Sequence, residues 1–218
     1  MTGMALIFDM DGVIVDSNPL HRQAWTAYNR RFGIETDETM HQRMYGKRND
    51  EIVRDFFGAD LDAEQVAGHG AAKESLYREM MAPVLRESLV PGVAEFLSRY
   101  RDLPIGMATN AEPPNVEFLL DNTALRPFFR AVVNGHQVSR PKPEPEIYLK
   151  VAELLGMAPS DCIVFEDSQA GVQAARGAGA RVVGILTTHA VLKNVDLSVD
   201  DFCSAELETW LQQQIPRG

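Results

Sequence analysis

Two aspartates, two residues apart, follow the first apolar run of the chain. Residues 5–8 read Ala-Leu-Ile-Phe, which is typical of a buried strand, and Asp9, Asp11 and Gly12 come next. Carboxylates this close raise each other's pKa, and burial adds a desolvation penalty. A divalent cation would remove that cost, because Mg²⁺ takes oxygen ligands and binds one or two carboxylates together with substrate phosphate oxygens.

Two other interpretations of this stretch involve no magnesium. Asp11-Gly12 between apolar runs is a strong hairpin signal, and acids at a hairpin tip need no function. A calcium loop would need further acidic ligands at fixed spacing after Gly12, and the sequence has none there. The choice between a site and a hairpin therefore depends on the other motifs.

Further polar residues occupy one kind of position, just past the end of a predicted strand. They are Thr109 and Asn110, Lys142 in a loop between Pro141 and Pro143, and Glu166 and Asp167. In open α/β sheets, ligands bind at this edge, outside the carboxyl ends of the strands. Four loops can therefore meet in one cleft, and this coincidence favours a site.

The residue types suit phosphoryl transfer. Asp9 can attack as a nucleophile and form an aspartyl-phosphate. Asp11 can protonate the leaving oxygen and then deprotonate water. Thr109 can donate its hydroxyl to a phosphate oxygen, and Lys142 supplies positive charge to the anionic group and to Asp9.

Glu166 and Asp167 can complete a magnesium site opposite Asp9. Taken singly, these motifs have simpler explanations. Thr109 suits a turn, Lys142 suits a solvated surface, and the acid pair suits a helix N-terminus. Their occurrence together and in order is what favours a site.

Periodicity predicts five strands, over 5–8, 104–108, 131–133, 162–165 and 182–185. The first predicted helix begins at Asn18 and ends before Gly33. Further helices are predicted over 37–45, 49–57, 63–81, 93–101, 113–122, 145–155, 169–177 and 205–214. No strand is predicted between residues 17 and 90. The pattern predicts an α/β chain with a doubly wound parallel sheet and helices on both faces. It also predicts an inserted helical cap domain over 17–87, with the core formed by 1–16 and 88–218.

Composition excludes several classes of function. The 218 residues carry a formal net charge of −10, which argues against nucleic-acid partners. No apolar run approaches the roughly 20 residues needed to cross a bilayer, so no membrane partner is expected. Cys162 and Cys203 are too few for a disulfide framework, and a reducing cytoplasm is the expected location. We expect a small phosphorylated substrate and a monomer or small homo-oligomer.

The motifs at 9–13 (Asp-Met-Asp-Gly-Val), Thr109, Lys142 and 165–171 (Phe-Glu-Asp-Ser-Gln-Ala-Gly) together resemble the haloacid dehalogenase superfamily of phosphotransferases. The sequence is most similar to the branch with a small helical cap, which includes phosphoglycolate phosphatases and β-phosphoglucomutases. The resemblance extends from residue 4 to about residue 188. It implies a flavodoxin-like core, Asp9 as nucleophile, Asp11 as acid/base and Mg²⁺ as cofactor. It also implies that the main-chain carbonyl of Asp11 joins Asp9 and Asp167 around the metal.

The sequence therefore favours a Mg²⁺-dependent phosphatase of a small phosphorylated metabolite, such as a sugar phosphate. A sugar-phosphate mutase is the alternative enzyme, and a non-catalytic phosphate- or protein-binding relative is the alternative of another class. The second Asp argues for phosphate chemistry, because dehalogenases of the superfamily lack it. The complete set of polar residues argues against the non-catalytic relative, because binding alone would not require it.

The helical segment contains features for and against the mutase. His21 and Lys73 lie where β-phosphoglucomutases have related residues, although both also suit a solvated helix. Those mutases usually have Gly-x-Ser-Arg in the second cap segment, whereas residues 46–49 read Gly-Lys-Arg-Asn. Their second motif tends to be followed by Ser-Lys, whereas here Ala111 and Glu112 follow Asn110. We therefore expect phosphate release, with Asn110, His21, Arg48 and Lys73 as substrate-binding residues.

Overall fold

The computed structural model describes residues 3–44 and 47–214 and contains a six-stranded sheet. Its strands are β1 (Ala5–Phe8), β2 (Ile105–Thr109), β3 (Ala131–Asn134), β4 (Cys162–Glu166), β5 (Arg181–Ile185) and β6 (Leu197–Val199). Every residue of β1, β2 and β4 is buried, as their apolar composition predicts for strands covered on both faces.

The strand order is β3-β2-β1-β4-β5-β6, and every neighbouring pair is parallel. In the centre, Leu6 is in register with Ile105 on one side and Ile163 on the other. The predicted doubly wound parallel sheet is confirmed. Its order is the 3-2-1-4-5-6 arrangement of Rossmann-type doubly wound sheets. Periodicity identifies strands, but only the crossovers determine which strands become neighbours.

The helices in the described residues are α1 (Asn18–Arg30), α2 (Glu38–Met44), α3 (Asn49–Phe57), α4 (Ala63–Met81), α5 (Val93–Arg99), α6 (Pro113–Thr123), α7 (Glu146–Leu155), α8 (Gln169–Ala178) and α9 (Ala205–Gln214). Helices α1 to α4 form an insert between β1 and β2, which we call the helical insert, and α1 packs on α4. The predicted helix over 37–45 ends at residue 45, which lies outside the described residues, as does Gly46. None of the helices in the described ranges is long and apolar enough to span a membrane.

Alternating side chains of the central strand face two different cores. Leu6 and Phe8 pack with residues of α5, α6 and α9, whereas Ala5 and Ile7 pack with residues of α7 and α8. The ring of Phe8 stacks on Phe165 of β4, with centroids 4.6 Å apart. A third cluster lies inside the helical insert around the fully buried Trp25. The insert therefore has an apolar core of its own.

Strand β6 is the element that periodicity missed. It has three residues at the edge of the sheet, and its central Ser198 is exposed. Val183 of β5 is in register with Leu197. A strand this short and half polar carries little sequence signal, because its place depends on pairing with β5. The other predicted strands match within one residue at each end.

Two glycines with opposite surroundings test how closely the helices pack on the sheet. A Cβ at Gly106 in β2 would lie 2.4 Å from Cγ1 of Val151 in α7, whereas a Cβ at Gly68 in α4 meets nothing within 4 Å. We expect Gly106→Ala to lower the free energy of unfolding by about 1–3 kcal/mol through overpacking. Gly68→Ala should raise it by about 0.5–1 kcal/mol, because alanine favours an exposed helix. Urea unfolding of both variants measures this, and shifts of the same sign would contradict the packing described.

Candidate active site

The chain turns sharply after β1 and places two acids beside the end of β4. The backbone N–H of Asp9 donates to the carbonyl of Phe165 at 3.0 Å. Gly12 has a φ of +77°, and a Cβ there would lie 1.9 Å from Oδ2 of Asp167. Glycine is therefore required at this position by both its conformation and the close approach of the carboxylate.

Three buried carboxylates come together at this point. Oxygens of Asp9, Glu166 and Asp167 lie within 4.8 Å of one another, and all three side chains are buried. The ammonium of Lys142, also buried, lies 2.9 Å from Oδ1 of Asp9 and 2.6 Å from Oε1 of Glu166. The sequence predicted this convergence, since β1 and β4 are neighbours at the point where the chain reverses its direction of winding.

Glu166 lies beneath the cleft and accepts hydrogen bonds from several protein groups. Oε1 accepts from Lys142 and from the hydroxyl of Tyr148, each at 2.6 Å. Oε2 accepts from the backbone N–H groups of Asp167 and Ser168, both at 3.1 Å, and from the Ser168 hydroxyl at 3.0 Å. Asp9 and Asp167 line the cleft, whereas Glu166 does not. This arrangement suits Glu166 to anchoring Lys142 more than to binding a metal directly.

The crowding of acids perturbs their protonation. Burial raises the pKa of Asp9 to about 7, with Glu166 and Asp11 adding to the rise and Lys142 opposing it. Burial, Glu166 and Asp9 raise the pKa of Asp167 well above its ordinary value. Burial lowers the pKa of Lys142, but the attraction of Asp9 and Glu166 outweighs this and raises it above the ordinary value. The ammonium therefore stays charged.

The donor set fits a hard divalent cation. Lys142 contributes one positive charge among three carboxylates, so the ionised cluster has an excess of negative charge. Mg²⁺ prefers oxygen ligands, and a cation beside Asp9 and Asp167 would offset the burial and the repulsion that raise their pKa values.

Asp11 is held by residues at the start of the helical insert. The hydroxyl of Ser17 donates to Oδ1 of Asp11 at 2.6 Å, and Nε2 of His21 lies 3.5 Å from the same oxygen. Lys73 Nζ lies 2.8 Å from Nδ1 of His21, and an ammonium can only donate. Nδ1 is therefore the acceptor, and Nε2 carries the proton that faces Asp11. The ring of His21 stacks on Tyr77, with centroids 3.8 Å apart.

Thr109 and Asn110 line the cleft at the end of β2. Thr109 is buried, and its Oγ1 accepts from the backbone N–H of Ala111 at 3.0 Å. Because this contact uses the oxygen as acceptor, the hydroxyl proton can be donated to a ligand. The arrangement can bind a non-bridging phosphate oxygen.

Side chains of the insert and of the core meet on another wall of the cleft, which we call the amide wall: Asn49, Glu74, Glu112 and Asn115. Nδ2 of Asn49 donates to Oε1 of Glu74 and to Oε1 of Glu112, each at 2.8 Å. Asn115 donates to Oε2 of Glu74 at 2.7 Å, and Lys73 donates to Oε1 of Glu74 at 2.7 Å. The amide wall therefore bridges the helical insert and the core.

The structure brings every predicted site residue into or directly beneath the cleft, except Arg48. Its guanidinium lies 3.3 Å from Asp50, whereas its neighbours Lys47 and Asn49 line the cleft. The backbone at Arg48 is extended, so neighbouring side chains point to opposite sides. His21 and Lys73 are both buried, which overturns the alternative that they are solvated helix residues.

Sequence reasoning missed Asn49, Glu74 and Asn115, as well as Thr188, which also lines the cleft. Thr188 had a usable signal, because it follows the carboxyl end of β5. The three residues of the amide wall had none, since each lies on a helix where a polar side chain is ordinarily solvated.

Comparison with known proteins gives consistent matches. The family model for haloacid dehalogenase-like hydrolases matches residues 4–179. A fructose-1-phosphate phosphatase of Escherichia coli is 35% identical over 185 residues, covering 83% of this chain and 95% of that protein. The β-phosphoglucomutase of Bacillus subtilis is 31% identical, with 83% and 82% covered. The crystal structure of a β-phosphoglucomutase from Clostridium difficile has a TM-score of 0.86 at 26% identity, covering 97% of this chain and 96% of that one.

The amide wall predicts a specific pH dependence of stability. Burial raises the pKa of Glu74, but the charge of Lys73 and the hydrogen bonds from Lys73 and Asn115 outweigh it and lower the pKa from 4.5 to about 2. A carboxyl whose pKa is depressed on folding stabilises the protein above its unfolded pKa and loses this contribution as the pH falls towards its folded pKa. For Glu74 the contribution is about 3 kcal/mol, of which about 2 kcal/mol is lost between pH 6 and pH 3.

Glu74→Gln should lower the free energy of unfolding at pH 6, and its difference from the wild type should shrink by about 2 kcal/mol at pH 3. Urea unfolding at the two pH values measures the difference, and Glu64→Gln on the exposed surface of α4 is the matched control. A difference that does not change with pH would show that Glu74 has an ordinary pKa.

Proposed function

Because the chain belongs to the haloacid dehalogenase-like hydrolase family, we propose that it is a Mg²⁺-dependent phosphatase of a small phosphorylated metabolite. The substrate class is a sugar phosphate or a related organic phosphate. The observation that carries this proposal is the position of Asp9, buried between Lys142 and Asp167 at the bottom of a cleft. The E. coli relative is named a fructose-1-phosphate phosphatase, which supports the substrate class.

Asp9, Asp167 and the main-chain carbonyl of Asp11 would hold the Mg²⁺. When bound, the ion supplies positive charge that neutralises the phosphate and the carboxylates. Glu166 holds Lys142 in place from beneath, through its contact at 2.6 Å. Lys142 in turn orients Asp9 and opposes its protonation, because an adjacent positive charge favours the carboxylate.

In the first step, a carboxylate oxygen of Asp9 bonds to phosphorus, and the bond from phosphorus to the leaving oxygen breaks. Asp11 gives its proton to that leaving oxygen. In the second step, Asp11 takes a proton from the attacking water, the water oxygen bonds to phosphorus, and the bond between Asp9 and phosphorus breaks. Thr109 and Lys142 stabilise the charge on the phosphoryl oxygens during both steps.

The helical insert is proposed to act as the cap, with boundaries at 17–87. His21 reaches Asp11 from the insert and Lys73 contacts His21, and both are assigned to substrate binding together with Asn110. Arg48 is left out of this set, because its guanidinium pairs with Asp50.

A sugar-phosphate mutase is the second candidate, and the contact chain from Asp11 through His21 to Lys73 favours it, as does the likeness to β-phosphoglucomutases. The amide wall argues for the phosphatase. A mutase must hold a second phosphate, and Glu112 presents a negative charge to the cleft, where such a phosphate would need cations.

The two aspartates should differ in their response to the leaving group. Asp9→Asn should reduce turnover of both alkyl and aryl phosphates by several orders of magnitude, because the covalent route is lost. Asp11→Asn should cost about 10²–10⁴ with an alkyl phosphate and much less with an aryl phosphate, whose leaving group barely needs a proton. Steady-state phosphate release measures all four combinations, and circular dichroism checks folding.

Either assignment fails on a definite result. A folded Asp9→Asn that retains more than about a tenth of the activity, a loss of only ~1.4 kcal/mol, would exclude Asp9 as the nucleophile. Equal losses on alkyl and aryl phosphates would exclude proton transfer by Asp11.

The choice between phosphatase and mutase is tested by supplying β-glucose 1-phosphate with a trace of glucose 1,6-bisphosphate and following the products. We expect free phosphate to appear faster than glucose 6-phosphate, because the amide wall disfavours a second phosphate. Coupled assays for both products measure the rates. Faster accumulation of glucose 6-phosphate would replace the phosphatase with the mutase.

A further inference from the structure

Two hydroxyl side chains follow β5 and reach across to the acids of the cleft. The hydroxyl of Thr188 donates to Oδ2 of Asp167. Thr187 donates to the main-chain carbonyl of Gly12 at 2.5 Å. The loop after β5 therefore contacts both segments that supply the acidic cluster, the turn after β1 and the end of β4.

Asn18, the first residue of α1, completes this arrangement. Its Nδ2 donates to the hydroxyl of Thr188 at 2.6 Å and lies 3.3 Å from Oδ2 of Asp167. The hydrogen bonds run from Asn18 through Thr188 to Asp167, because an amide N–H donates, a hydroxyl both accepts and donates, and a carboxylate only accepts. Two donors from distant parts of the sequence thus end on the same oxygen of Asp167.

The turn after β1 tightly constrains the position of Oδ2 of Asp167. A Cβ at Gly12 would come within 1.9 Å of Oδ2, so the carboxylate packs directly on the turn after β1. Asp167 also faces the negative charges of Glu166 and Asp9. Repulsion from these two acids would drive an unrestrained carboxylate away.

We propose that Thr188, supported by Asn18, is a positioning residue that holds the carboxylate of Asp167 oriented for a divalent cation. Thr187 does the same for the turn that contains Asp11, through the carbonyl of Gly12. The inference rests on the proposed function only in requiring a cation beside Asp9 and Asp167. Residues that orient metal ligands in this way typically contribute about 10–100-fold to metal affinity.

The test is the affinity for Mn²⁺ as a probe ion, measured by electron paramagnetic resonance titration in the absence of substrate. Thr188→Val keeps the shape and removes the hydroxyl, so we expect it to weaken Mn²⁺ binding by about tenfold or more. Thr188→Ser keeps the hydroxyl and should retain most of the wild-type affinity. Asn18→Ala should fall between them. Thr209→Val, the same change on the exposed surface of α9, is the matched control.

A kinetic measurement separates positioning from catalysis. For Thr188→Val, the Mg²⁺ concentration that gives half-maximal activity should rise by the same factor as the Mn²⁺ dissociation constant. Turnover at saturating Mg²⁺ should stay within about threefold of the wild type, because Thr188 does not take part in the proposed chemical steps.

The outcomes distinguish this inference from the proposed function. If the wild type binds Mn²⁺ and Thr188→Val binds it equally well, or if Thr188→Ser loses as much affinity as Thr188→Val, the positioning role is wrong and the phosphatase stands. If the wild type binds no divalent cation, the proposed metal site and this inference fail together. If Thr188→Val does not fold, Asn18→Ala decides, and an unchanged affinity in that variant rejects the role.

Discussion

The ammonium of Lys142, buried between Asp9 and Glu166, is the contact on which the rest of the site depends. Charges removed from water are costly unless they are paired and hydrogen-bonded. Lys142 meets this condition with two carboxylates, and Glu166 meets it with donors from Lys142, Tyr148 and the start of α8. Asp167 is the third acid of the cluster and has no such cation among its hydrogen-bond donors in the described residues. The imbalance is what suits this position to a divalent cation.

The topology of the sheet makes this crowding unavoidable. The chain winds outward from β1 to β2 and β3, returns to the other side of β1 with β4, and so places two acidic strand ends side by side. Glycine at position 12 lets the turn after β1 approach Asp167. The apolar strands below, with Phe8 stacked on Phe165, keep the two ends in register. A rigid scaffold thus holds together charges that repel one another.

The helical insert is linked to the acids of the core through hydrogen bonds. Asp11 contacts Ser17 and His21, His21 contacts Lys73, and Lys73 contacts Glu74 in the amide wall. Asn18 contacts Asp167 from the first turn of α1. Because these contacts join the proposed acid/base and the proposed metal ligand to the same insert, movement of the insert would change both. Residues on one segment can therefore influence proton transfer and cation binding together.

The sequence alone determined the elements and the chemistry at the strand ends. Apolar runs identified five of the six strands, and the polar residues after them predicted the cluster of Asp9, Lys142 and Asp167, because parallel strands must present their carboxyl ends on one edge. Strand order and β6 were decided by pairing, which periodicity does not encode. The same holds for Arg48, whose extended backbone turns it away from the cleft, and for Glu74, whose partners Asn49 and Asn115 lie on other helices. Tertiary packing decided these contacts, because a polar residue on a helix carries no record in the sequence of which distant group will approach it.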